Sequence, residues 1–246
     1  VKARFGRETK PREGGHVPSI FITGSNRGLG LEWVRQCGRD GWRVLASCRH
    51  PAEAAELRQL AEQHDKVSVH RLDVTNAEDI RAIMWEVQEE PIDVLLNNAG
   101  TYLEKGRPEF GCLRYQEWAR AFEINTMGSM RVAEALVDNV ARSERRLIVA
   151  ISSHMGSIAD IQSPDSYYYR SSKAALNAAM QGLSVQLRPL GIGVLILHPG
   201  GVNTRMGPRG GITAEASVRG MRRLIEGFTL QQSGRFLRYD GTELPW

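Results

Sequence analysis

Seven short strand-like runs alternate with six longer segments of helical periodicity along most of this 246-residue chain. The runs lie at 19–23, 43–47, 67–71, 93–97, 146–152, 193–198 and 235–238, and the helical patterns at 28–40, 52–63, 76–89, 117–140, 167–188 and 214–226. Strands that alternate with helices predict βαβ units. Their parallel strands are buried on both faces, so helices must cover both sides of the sheet. With right-handed crossovers the expected fold is α/β: a doubly wound parallel sheet (Rossmann fold) of about seven strands. No linker interrupts the alternation, which predicts one domain over 19–246.

Composition narrows the class without naming a function. The chain is 41% hydrophobic and 24% charged, the balance of an ordinary globular protein. No apolar run approaches the ~18–20 residues of a membrane span, so no membrane partner is expected. The net charge is +4, and residues 1–18 carry five basic against two acidic groups, so they account for three of the four charges. The remainder is nearly neutral and lacks the basic footprint of a nucleic-acid binder. Residues 1–18 have no apolar periodicity and read as a flexible basic extension. Cys37, Cys48 and Cys112 are an odd, scattered set without a CxxC, which suggests reduced thiols and a cytoplasmic protein. The histidines at 64, 70, 154 and 198 lack metal-ligand spacing, so no metal is expected.

The chemistry begins after the first strand, at Thr23-Gly24-Ser25-Asn26-Arg27-Gly28-Leu29-Gly30. Gly24 permits the strand-to-helix turn, and Gly28 and Gly30 are expected to let backbone approach a pyrophosphate. The helix that follows points its N-terminal N–H groups at those phosphates. A glycine-rich turn alone is a weak signal, but here it stands between a strand and a helix, the context the motif needs. The second strand ends Ala46-Ser47-Cys48-Arg49-His50, with no carboxylate to hold a ribose 2′-hydroxyl. Arg49 and Arg27 can instead pair with a 2′-phosphate, which an acid would repel. That favours NADP over NAD.

Tyr169 and Lys173 stand at i and i+4, on one face of a helix. A nearby ammonium favours tyrosinate and is expected to pull the phenol pKa down. Tyr169 can then give or take a proton, and a hydroxyl from the pair Ser152-Ser153 can polarise a carbonyl oxygen where negative charge develops. Tyr167 and Tyr168 lack a lysine at the fourth position. Only five lysines occur in the chain.

These residues strongly resemble the short-chain dehydrogenase/reductase family. Asn97-Asn98-Ala99-Gly100 is similar to its NNAG, and Tyr169-Arg170-Ser171-Ser172-Lys173 to its YxxxK. Asn125-Thr126-Met127-Gly128 resembles its NxxG, and Pro199-Gly200-Gly201-Val202-Asn203-Thr204 its PGxVxT. Leu72-Asp73-Val74 matches where the family holds adenine, and Ile151-Ser152-Ser153 the strand bearing its serine. The segments at 152–158, 169–177 and 239–246 resemble, more narrowly, the C-factor and Sniffer-type carbonyl reductases within it.

The resemblance implies an NADP-dependent reductase or alcohol dehydrogenase acting on a small-molecule carbonyl. It implies catalytic Asn125, Ser153, Tyr169 and Lys173, with Asn125 holding a water that relays protons to Lys173. It further implies that NADP lies against Gly24, Ser25, Asn26, Arg27, Gly28, Leu29, Gly30, Arg49, Asp73, Val74, Asn97, Ala99, Gly100, Tyr169, Lys173, Pro199, Gly200, Val202 and Thr204. The family commonly pairs its two long helices, so a homo-oligomer, dimer or tetramer, is expected. Gly201 and Arg205 stand where the narrower group often has Trp and Asp, which leaves the substrate open. The competing reading is a non-catalytic NADP-binding redox sensor or signalling protein; a sensor need not keep Ser153, Tyr169 and Lys173.

Overall fold

The sheet in the computed structural model has seven strands, β1(Ser19–Thr23), β2(Arg43–Cys48), β3(Val67–Arg71), β4(Val94–Asn97), β5(Leu147–Ile151), β6(Gly193–His198) and β7(Phe236–Arg238). Every neighbouring pair is parallel, in the order β3-β2-β1-β4-β5-β6-β7. The structure describes residues 16–104, 110–163, 165–207 and 210–246. The helices are α1(Gly28–Arg39), α2(Ala55–Gln63), α3(Ala77–Glu86), α4(Tyr115–Phe122), α5(Gly128–Ala141), α6(Tyr167–Leu187) and α7(Ala214–Glu226). Residues 105–109 and 164, inside the spans that join these elements, lie outside the described set, as does most of the 1–18 extension.

The period-two alternation of each strand divides the core into two layers. Ile20, Ile22, Val44, Val94, Leu96, Val149 and Leu195 face α1, α2 and α7, where Trp33, Leu57 and Met221 receive them. Phe21, Leu45, Leu95, Ile148, Ile196 and Phe236 face α3, α5 and α6, against Ile83, Leu136 and Met180. Strand order reverses beside β1, so the loops after β1 and β4 open a crevice at the carboxyl ends of the strands.

Two departures from the expected elements have local causes. The segment expected as a helix from 52 opens with a 3₁₀ turn at Pro51–Glu53 before α2 begins; Pro51 supplies the fixed φ of a first turn. The long helix expected over 117–140 starts at Tyr115 and is broken by a π-helical turn at Glu123–Met127. Its Asn125 is fully buried and spoken for from outside the helix: Oδ1 accepts from the Thr101 N–H at 2.7 Å, and Nδ2 donates to the Thr101 carbonyl at 3.0 Å. A π turn inserts one residue into the ladder and rotates such a side chain into place.

At the amino end of the sheet, His16 Nε2 meets Asp93 Oδ2 at 3.0 Å, and Pro18 accepts a backbone bond from the Arg43 N–H at 2.9 Å. These two residues of the presumed extension therefore touch the domain. Among the described residues, no helix is long and apolar enough to cross a membrane.

Candidate active site

The glycine turn is shaped by two different constraints. Gly24 and Gly28 have φ of +68° and +54°, backbone that L side chains rarely adopt. A methyl group at Gly28 would meet only Thr204 Cγ2, at 3.8 Å, so this residue faces open space across from the loop after β6. Gly30 does not. A methyl there would stand 2.2 Å from the Gly24 carbonyl oxygen and 2.7 Å from Asn98 Nδ2. Gly30 thus packs the helix against its own turn and the β4 loop, which corrects the expectation that it admits a pyrophosphate. Ser25 is likewise inward: its Oγ donates to the Ile22 carbonyl and its N–H to the Ser47 carbonyl, both at 2.9 Å. Asn26 and Arg27 are exposed, and Leu29 is half-buried. α1 has no side-chain cap and no acid in its first turn, so its first N–H groups and partial positive charge remain free to receive an anion.

The β4 loop is clamped to β1. Thr23 Oγ1 accepts from the Asn98 and Ala99 N–H groups at 2.9 Å, and Asn98 Nδ2 donates to the Thr23 carbonyl at 2.8 Å. Asn97 is buried, and neither amide atom of its side chain has a partner among the described residues. Arg49 at the end of β2 is exposed and, like Arg27, makes no ion pair among the described residues. Burial pushes the Asp73 carboxyl up, but bonds from Thr75 and the nearby Arg49 and Arg120 guanidiniums prevail and hold it below its ordinary value. Val74 is buried against Gly128, where a methyl would stand 2.6 Å from its Cγ2.

The structure brings Asn125 and Lys173 together at Gly100, and Lys173 and Ser153 beside Tyr169. A methyl at Gly100 would lie 3.3 Å from Asn125 Oδ1 and 3.6 Å from Lys173 Nζ. Of the two serines, Ser152 is occupied, its Oγ donating to Asn177 Oδ1 at 2.6 Å. Ser153 Oγ accepts from the Met155 N–H at 3.1 Å and stands beside the Tyr169 phenol. Lys173 Nζ lies 5.8 Å from the Tyr169 ring centroid and donates to the Ile151 carbonyl at 2.8 Å.

The electrostatics correct the expectation of a depressed tyrosine. Burial pushes the Tyr169 phenol up to about 12, with the Ser153 hydrogen bond pulling weakly the other way. Burial also lowers Lys173 to about 8. Helical spacing does place the pair on one face, but the ammonium turns to a carbonyl, and loss of water penalises tyrosinate more than the distant charge favours it.

The described part of the loop after β6 stands beside the glycine turn, Thr204 facing Gly28. Gly200 has φ +85°, and a methyl there would meet Ile212 Cδ1 and Tyr239 Cε1 at 2.9 Å. The Pro199 carbonyl accepts from Ser217 Oγ at 2.6 Å, Val202 bridges Ile212, and Thr204 Oγ1 accepts from the Gly207 N–H at 3.2 Å. Gly201 is exposed. The His154 and His198 rings pack edge to face at 4.8 Å.

Several residues of this site carried no sequence signal that singled them out. Glu104 is buried and accepts from the Tyr168 and Tyr169 N–H groups. Tyr102 packs edge-on to Tyr169, with ring centroids 5.2 Å apart. Ser172 Oγ accepts from Asn125 Nδ2 at 2.9 Å, and Asn177 Nδ2 donates to the Gly156 carbonyl at 3.2 Å. Glu104 and Tyr102 had no signal of any kind, whereas Thr23, Asn98, Ser172 and Asn177 flank or lie inside the motifs quoted above and could have been found there.

A family model described as short chain dehydrogenase matches residues 18–211. "C-signal" of Myxococcus xanthus is 42% identical over 168 residues, covering 68% of this chain and 100% of that protein. Among solved structures, the carbonyl reductase Sniffer of D. melanogaster superposes with a TM-score of 0.87 at 32% identity, over 94% of this chain and 100% of that one. The NADPH-bound carbonyl reductase from chicken fatty liver gives 0.86 at 29% identity, over 94% and 99%.

Proposed function

Because this chain belongs to the short-chain dehydrogenase family, we propose that it is an NADP-dependent oxidoreductase that interconverts a small-molecule carbonyl (aldehyde, ketone or quinone) and its alcohol, with Tyr169 as the acid/base. The observation that carries the reading is the placement of Ser153 beside the Tyr169 phenol with Lys173 Nζ 5.8 Å from the Tyr169 ring centroid; burial pushes that phenol up, so it keeps its proton. A proton donor must hold its proton until charge develops on the acceptor.

The residues present fit NADP. The bare amino end of α1 and the open side of Gly28, within the turn 24–30, suit the pyrophosphate. Arg27 and Arg49 suit a 2′-phosphate. Asp73 and Val74 would border the adenine, and Asn97, Ala99 and Gly100 the sugar and ring beyond it. Pro199, Gly200, Val202 and Thr204 would cover the nicotinamide end. The solved carbonyl reductase from chicken holds NADPH, which supports the same assignment. When bound, NADP supplies or accepts the hydride. Ser153 and Tyr169 both direct O–H groups at the substrate oxygen, and Tyr169 delivers its proton there in reduction. Lys173 stands behind the phenol and stabilises the tyrosinate that remains. The Asn125 amide is bonded to Thr101 and Ser172, so a water relaying protons to Lys173 would be held by its backbone carbonyl.

The reading extends to a cytoplasmic homo-oligomer, dimer or tetramer, paired through α4, α5 and α6; light scattering that returns a monomer mass removes that part. A second reading, a signalling protein, is favoured by the relative named C-signal. Turnover separates the two. NADPH oxidation against a panel of aldehydes, ketones and quinones is expected to show activity, with Tyr169→Phe retaining NADPH binding and losing roughly 10²–10⁴-fold or more in kcat. Arg49→Asp should weaken NADPH more than NADH. Near-native turnover by Tyr169→Phe would sink the assignment of the acid.

A further inference from the structure

α6 carries Tyr169 in its first turn, and that turn lacks the cap a helix of this length ordinarily has. Ser166 occupies the cap position but sits in the left-handed region, at φ 59° and ψ 39°, and makes no side-chain bond to the helix. Its Oγ is instead 2.9 Å from the Tyr102 hydroxyl. The first N–H groups of a helix have no intrahelical partner and need one when buried. Here both partners come from one distant carboxylate. Glu104 Oε1 accepts from the Tyr168 N–H and Oε2 from the Tyr169 N–H, each at 2.9 Å. Glu104 is only 3% exposed.

That carboxylate stands at the end of a short strap, 100–104, which touches Asn125, Tyr169 and Lys173 of the acid/base machinery. Gly100 lies against Lys173 and Asn125, Thr101 holds the Asn125 amide, and Tyr102 packs on the Tyr169 ring and pairs with Ser166. From these contacts we infer that Glu104 is a positioning residue. By gripping the amides of Tyr168 and Tyr169 it fixes where the Tyr169 phenol stands relative to Ser153 and the substrate oxygen.

The geometry needs both oxygens as acceptors, which only an ionised carboxylate of this length offers. Burial raises the Glu104 pKa, while the two amide bonds oppose it. Asp165 and Arg170, the charged groups that act on it, work in opposite directions. Its negative charge also lies against the positive end of α6, beside the Tyr169 amide. Removing the charge is therefore expected to ease tyrosinate formation as well as to loosen the backbone.

This rests on Tyr169 being the acid/base, and two variants separate the roles. Glu104→Gln keeps one acceptor and loses the charge; Glu104→Asp keeps the charge but is too short to span both amides. Both are expected to lower kcat about tenfold or more, a loss of ~1.4 kcal/mol in transition-state stabilisation, with the KM for NADPH within about twofold. In Glu104→Gln alone, the pH profile of kcat for alcohol oxidation should shift to lower pH. Amide exchange in the 167–173 peptide should quicken in both, which reads the cap without turnover. Unchanged kcat and pH profile with a lowered Tm would show a structural cap only and overturn the proposal. Tyr169→Phe runs in parallel. If it is inactive while both Glu104 variants are unaffected, positioning alone fails; if it is active, the acid/base reading fails and takes this inference with it.

Discussion

Lys173 is the residue whose surroundings differ most from what its spacing suggests. Its ammonium is buried, bonded to the Ile151 carbonyl, and held at about 8 rather than its ordinary 10.5. The stability consequence has a definite sign. Below pH 8 both folded and unfolded chains carry the proton, and the penalty of burying the charge is fully present. Between about 8 and 10.5 the folded state sheds its proton first, so the unfolded state binds more protons and stability rises with pH. Tyr169 acts only from the top of this window upward: its phenol ionises near 10 when unfolded and about 12 when folded, so it lowers stability from pH 10 upward. Denaturant unfolding of wild type and Lys173→Met at about pH 7.5 and 9.5 should therefore show wild type gaining relative to the variant at the higher pH. A difference that does not move with pH would mean the ammonium is solvated.

At the scale of the element, the turn from β1 to α1 shows that one motif can answer two demands. Gly28 is required by its backbone angle and its open face, and Gly30 by the Gly24 carbonyl and Asn98 that crowd it. Alanine should separate them. Gly30→Ala forces the turn apart and is expected to destabilise by ~1–3 kcal/mol, read as a fall in Tm. Gly28→Ala has room for its methyl but pays the left-handed strain, ~1–2 kcal/mol, and should weaken NADPH binding without disturbing the clamp to β4. Equal melting temperatures with equal affinity for the two variants would refute the distinction. The π turn at Glu123–Met127 is the other element with a purpose: it breaks a long helix so that Asn125 can reach the strap carrying Glu104.

For the whole molecule, the two packed layers leave little for the amino-terminal residues to add. Deleting 1–15 is expected to leave Tm within about 1–2 °C, the scale of surface changes that touch no buried group. Deleting 1–18 also removes the His16–Asp93 contact and the Pro18 carbonyl that receives the Arg43 N–H, and should lower Tm measurably. Asp93 is 1% exposed and also bonds Ser19 and the Arg145 N–H, so losing a partner weakens a buried network rather than a surface pair. A large loss from the shorter deletion would show that residues 1–15 pack on the domain or on a second copy.

The parallel sheet was legible because its signal is local and repeated: β1, β3 and β6 have the bounds the sequence pattern predicts, since turn residues and the period-two pattern act over a few positions. The glycine turn and the Tyr169–Lys173 pair were legible because each depends on spacing over a few residues, and the NNAG only through the family resemblance. Tertiary structure decided what lies between elements. Glu104 sits 64 residues from the Tyr168 amide it caps, and no periodicity links a loop carboxylate to a helix that begins that far along the chain. The same holds for the physical reason behind Ser153, which the resemblance favours, rather than Ser152: Asn177 takes the Ser152 hydroxyl and leaves that of Ser153. It holds also for the direction of the Tyr169 and Lys173 shifts. A pKa depends on how much water the packed layers exclude, and that quantity exists only once distant segments have closed around the group.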